Sequence, residues 1–104
     1  MTRQKQDEPP FDISAEARKL VGLYLESRLA DLARLDAALA AGDFETVRAV
    51  GHIFRGSSDN FGFPEAGLIG TQLEEAAGRA DREAVVALVP LLRASIADRG
   101  AGNT

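Results

Sequence analysis

The sequence predicts an all-α protein, an antiparallel up-down-up-down four-helix bundle with flexible tails at both ends. Two observations carry that expectation. Alanine and leucine supply much of the 45% apolar composition, while Thr and Val are sparse and no Asn-Gly or Asp-Gly hairpin signal occurs. The apolar residues also recur at helical intervals in four successive stretches separated by glycine, proline and aspartate. A chain of 104 residues suits one small domain with one core.

Residues 1–10 are polar and end in Pro9-Pro10, which reads as a flexible lead, with Phe11 available to anchor the bundle over residues 11–99. Asp12 or Ser14 can cap a first helix. Its apolar series Val21, Leu25, Leu29, Leu32, Leu35, Leu39 advances 18 residues in five steps, the period of an α-helix. Arg28, Asp31 and Arg34 follow at i,i+3 spacing, predicted on a solvated face, and Gly42 ends the helix.

Asp43 is the expected N-cap of a second helix running to about Phe61, closed by Gly62. Phe63-Pro64 restarts the chain, and Ala66, Ile69, Leu73, Ala76 and Ala80 keep helical spacing through a third helix. Asp81 caps a fourth, whose stripe is Val85, Leu88, Val89, Leu92 and Ile96. Pro90 inside it removes a backbone donor and predicts a kink near residues 86–90. The tail from Gly100 to Thr104 is glycine-rich and predicted flexible.

Composition excludes several functions. A net charge of -4 with no basic stripe argues against nucleic acid. With no cysteine and one histidine there is no zinc ligand set, so no metal or other cofactor is expected on this chain. No leader-type apolar segment and no 18-residue apolar run occur, which predicts a cytoplasmic protein without membrane contact. No glycine-rich phosphate loop is present, so the chain is not expected to act on ATP as a kinase.

The single histidine, His52, carries the functional reading. Imidazole is well suited to accept and release a group near neutral pH. With Phe44 at zero and about 100° per residue, Val47, Val50, Phe54, Ser58 and Phe61 cluster near 280°, and His52 falls near 80°. The ring should face solvent, with Glu45, Arg48, Arg55, Gly56 and Asp59 around it. Gly51 and Gly56 cost helix stability and are read as leaving room beside the ring, Gly56 for a partner's close approach. Arg48 at i-4 and Arg55 at i+3 can reach a charged group on the ring, a phosphoryl group being the obvious one. A competing account pairs Arg48 with Glu45 and Arg55 with Asp59 on a solvated face. It is preferred for Arg48 and not for Arg55. Ala49 and Ile53 lie at the margin of the core and suit either a small apolar docking patch or peripheral packing.

The run His52, Arg55, Gly56, Ser57, Ser58 resembles the signature of the histidine-containing phosphotransfer (HPt) domain of two-component phosphorelays. Gly62, Leu73-Glu74 and the turn Ala38 to Phe44 extend the resemblance over roughly residues 14–98. It implies that His52 accepts a phosphoryl group from the aspartyl phosphate of a receiver domain and passes it to another receiver, with Arg55 steadying the phosphoryl oxygens and Gly56 permitting docking. Arg55 departs from the commoner lysine and keeps the charge. Glu74 is similar to an acidic or amide residue near the histidine in that family, and with Arg48 it is an accessory candidate. Ser57 and Ser58, turned toward the core on the wheel, suit packing and hydrogen bonding. The resemblance implies a carrier with no ATP site rather than an enzyme, partnered with response-regulator receivers, including those of hybrid histidine kinases, with magnesium on the receiver. The chain is expected to be a monomer. Two other readings stand beside it: a non-phosphorylated adaptor binding receivers through the same face, and, ranked last, an enzyme using His52 as general base, for which no second catalytic group converges.

Overall fold

The computed structural model describes residues 13–102. Phe11, Asp12 and the lead over residues 1–10 lie outside the described residues, as do positions 103–104. Four helices follow one another: α1 over Ile13–Ala41, α2 over Phe44–Ser57, α3 over Pro64–Gly78 and α4 over Arg82–Gly102, with a 3-10 turn at Asp59–Phe61 after α2. No strand occurs among the described residues. α2 packs against α3, α3 against α4, and α1 against both α2 and α4.

Local chemistry sets the helix ends. Gly42 takes φ +71° between α1 and α2, and Asp43 then caps α2 by accepting from the Thr46 backbone N–H at 3.1 Å and the Thr46 hydroxyl at 2.7 Å. Those two bonds hold the Asp43 carboxyl below the usual carboxylate range. α2 stops at Ser57 rather than near Phe61. The Ser58 carbonyl accepts from both Phe61 and Phe63, at 3.1 and 2.9 Å, so the chain tightens into the 3-10 turn before Gly62 reverses it at φ +88°. Pro64 opens α3 at its first turn.

α3 ends at Gly78, so Ala80 is not part of its stripe. The Asp81 N–H bonds to the Ala76 carbonyl at 2.9 Å and leaves Ala80 exposed and left-handed at φ +55°. Asp81 Oδ1 accepts from the Ala84 N–H at 3.2 Å and starts α4. α4 continues through Pro90 and on to Gly102, beyond the end of the bundle expected at residue 99. Pro90 and Val86 are both exposed, so the carbonyl that loses its donor lies on the wet side of the helix.

The core gathers Leu32, Leu35, Ala38, Val47, Val50, Phe54, Phe63, Ala66, Leu73, Ala76, Val85, Val89, Leu92 and Ile96. Leu29, expected among them, is 55% exposed. It sits about 120° round the helix from Leu35, and the inward line instead runs through Tyr24, Arg28, Asp31, Leu32 and Leu35. Asp31, predicted on the surface, is buried, taking Arg28 Nε at 3.0 Å and Arg34 Nη1 at 2.6 Å. Arg28 continues to the Ser57 hydroxyl at 3.3 Å and lies over the Tyr24 ring, 4.9 Å from its centroid. Tyr24 stacks on Phe61 at 4.4 Å, and its hydroxyl meets the buried Ser58 hydroxyl at 2.7 Å. A polar and aromatic belt thus fixes α1 against the end of α2.

Candidate functional site

α2 and α3 hold the site. The face of α2 opposite its buried residues Val47, Val50 and Phe54 carries His52, Arg48, Arg55 and Gly56, all exposed. The His52 side chain is 59% accessible, in the orientation the helical wheel predicts. Ser57 and Ser58 point away from that face. Ser57 donates to the Ile53 carbonyl at 2.8 Å, and Ser58 is buried against Tyr24.

Glu74 on α3 reaches across to the ring. Its Oε2 lies 3.1 Å from His52 Nδ1 and its Oε1 lies 3.3 Å from Arg55 Nε, while Arg55 Nη2 lies 3.1 Å from the same Nδ1. Nδ1 cannot accept from Arg55 and donate to Glu74 at once. A carboxylate only accepts, so a proton on Nδ1 satisfies Glu74, whereas a bare Nδ1 would set two lone pairs against each other. A proton on Nδ1 faces the Arg55 N–H in turn, so Nδ1–H is the tautomer in which Arg55 bonds Glu74 alone, and a bare Nδ1 is the one in which Arg55 donates to the ring. In the Nδ1–H tautomer the lone pair is on Nε2, which no hydrogen bond reaches among the described residues.

Backbone contact between the helices makes this reach possible. A Cβ built on Gly51 would meet Glu74 N at 2.8 Å and Gly70 O at 2.9 Å, and one on Gly70 would meet Phe54 Cβ at 2.7 Å and Gly51 O at 2.8 Å. Gly51 is therefore buried beneath α3. It gives room to the neighbouring helix, not to the imidazole as the sequence suggested. Gly56 differs, since a Cβ there meets nothing within 4 Å. The surface over Gly56 is open.

The two pairings of the solvated-face account are not formed. Arg55 bonds Glu74 instead of Asp59, and Arg48 makes no ion pair among the described residues. Arg48 and Glu74 line two shallow depressions that flank the ring. One, of about 460 Å³, also holds Glu45, Ala49, His52 and Ile53. The other, of about 520 Å³, holds Arg55, Thr71, Glu75 and Gly78. Every candidate named from the sequence thus lies at or beside His52, and Glu74, one of the two accessory candidates, is its partner from another helix.

A family model described as the Hpt domain matches residues 19–101. The chain belongs to the Hpt domain family. Hpt domains are phosphotransfer carriers rather than catalysts, and they interact with response-regulator receiver domains in phosphorelays. A phosphorelay role in histidine phosphotransfer follows for this Hpt domain. No curated protein and no solved structure matches the chain. No group of three or more His, Asp or Glu side chains that could hold a metal ion occurs among the described residues, and no described helix is long and apolar enough to cross a membrane.

Proposed function

We propose that this Hpt domain accepts a phosphoryl group on His52 Nε2 from the aspartyl phosphate of one receiver domain and passes it to an aspartate of another. The observation that supports this most is the division of labour on the ring. Nδ1 is contacted by Glu74 and Arg55, whereas no hydrogen bond reaches Nε2 among the described residues and the side chain is 59% accessible.

The step balances without a proton transfer. The Nε2 lone pair attacks phosphorus, the P–N bond forms, and the P–O bond to the partner's carboxyl breaks, leaving a carboxylate. The ring keeps its Nδ1 proton and becomes a cation, which Glu74 stabilises through a charge-assisted hydrogen bond. In the return step neutral imidazole leaves. The new positive charge repels Arg55 from Nδ1 while the phosphoryl oxygens attract it, so Arg55 turns toward them from Glu74. Magnesium is supplied by the partner's acidic pocket. Gly56 has no packing reason to be glycine, which suits close approach by a partner, and Ala49 and Ile53 offer apolar contact beside the ring.

Incubation with a phosphorylated receiver and magnesium tests the reading. Acid-labile, alkali-stable label is expected on the wild type and none on His52→Gln. Equal label on the variant refutes the site. Tight receiver binding with no transfer under any magnesium condition would replace this reading by a non-phosphorylated adaptor.

A further inference from the structure

We propose that Arg48 is a second phosphoryl-binding group of this site, receiving the oxygens of phospho-His52 from the side opposite Arg55; the inference rests on the phosphotransfer reading above. Helical side chains lean toward the N-terminus, so a residue covers the turn before its own Cα. Arg55 leans back onto His52 in this way, its Nη2 reaching Nδ1 at 3.1 Å. By the same geometry His52 leans over the turn that carries Arg48, and the two line one open depression with Glu45, Ala49, Ile53 and Glu74. The Nδ1 edge of the ring is occupied by Glu74 and Arg55. A group on Nε2 therefore projects from the opposite edge.

The two arginines differ in what binding costs them. Arg55 must give up its 3.3 Å contact with Glu74 before it can serve a phosphoryl group. Arg48 gives up nothing, because it makes no ion pair among the described residues even though Glu45, Glu74 and Glu75 line the same depressions. Those three carboxylates face only two guanidiniums. Without Arg48 the depression that holds His52 would be lined by the carboxylates of Glu45 and Glu74 with no guanidinium among its residues. Arg48 is thus placed, charged and uncommitted where a phosphoryl group would otherwise be repelled.

Wild type, Arg48→Ala and Arg48→Lys are brought to equilibrium with a phosphorylated receiver, and phospho-His52 is followed by ³¹P NMR. Arg48→Ala should lower the equilibrium constant for loading His52 by about threefold to tenfold, the range for one charge-assisted contact at an exposed site. Its phosphoryl resonance should titrate at higher pH than in wild type, and Arg48→Lys should restore part of both effects. Circular dichroism melts should show Arg48→Ala folded as stably as wild type. Loading within twofold of wild type together with an unchanged ³¹P titration overturns the role of Arg48 while leaving the carrier reading intact. No phosphohistidine on the wild type itself overturns both.

Discussion

Gly51→Ala should loosen the site without touching a site side chain. The added Cβ would lie 2.8 Å from Glu74 N, 2.9 Å from Gly70 O and 3.1 Å from Glu74 Cα, and all three are backbone atoms that no rotamer can move aside. Restoring ordinary contact at about 3.5 to 4.0 Å requires α3 to withdraw by roughly 0.5 to 1 Å. The Glu74 Oε2 to His52 Nδ1 distance of 3.1 Å would then stretch past hydrogen-bonding range. Overpacking of this kind costs about 1–3 kcal/mol, against a gain of about 1 kcal/mol from alanine's helix propensity. For a shift at the upper end of the range the net loss is about 2 kcal/mol, or roughly 8 to 16 °C in Tm for a domain of this size. Gly56→Ala is the internal control. It meets no atom within 4 Å and should be neutral or stabilising by up to about 1 kcal/mol. Thermal melts read the stability, and ¹H–¹⁵N spectra of the His52 ring read the tautomer. The Gly51 variant should show a mixed Nδ1–H and Nε2–H population, whereas the Gly56 variant should keep Nδ1–H. A Gly51→Ala protein as stable as wild type, with its tautomer unchanged, would refute the close-contact reasoning.

Other positions give sharper local tests. Tyr24→Phe strands the buried Ser58 hydroxyl and should cost about 1–3 kcal/mol in chemical denaturation, while adding Ser58→Ala should recover part of that loss. Ala80→Gly relieves a left-handed alanine and should raise stability by about 1 kcal/mol, read as a Tm increase of roughly 4 to 8 °C. Asp43 has a carboxyl held below the usual carboxylate range by Thr46, so its contribution is complete above the unfolded-state pKa and is lost as pH falls through the lower folded value. Melts in acid should therefore show a pH-dependent loss in wild type that is smaller in Asp43→Ala.

The legible parts of this fold are those governed by local rules. Asp43, Gly42, Gly62, Pro64 and Asp81 mark helix ends through their own backbone chemistry, and each stands where its residue type predicts. His52 faces outward because Val47, Val50 and Phe54 fix the opposite face of a short helix. What escaped the sequence depends on contacts between helices. A glycine has no side chain to reveal its neighbour, so Gly51 under α3 and Gly56 in the open look alike until their surroundings are known. Charged residues are ordinarily solvated, and nothing in the spacing of Arg28, Asp31 and Arg34 shows that Ser57 and Tyr24 draw Arg28 inward with its partner Asp31 while Arg34 stays exposed. Glu74 lies 22 residues from His52, and only the packing of α3 brings them together. Leu29 joined the apolar series by its spacing from Leu25 and Leu32, yet the helix turns it away from the core.

The central claim is that Glu74 keeps the His52 proton on Nδ1 and so reserves Nε2 for the phosphoryl group. It is tested most directly by long-range ¹H–¹⁵N correlation on the receiver-phosphorylated protein, which distinguishes the two ring nitrogens. The account predicts phosphorus on Nε2 with Nδ1 still protonated. Phosphorus on Nδ1, or on any residue other than His52, would contradict it.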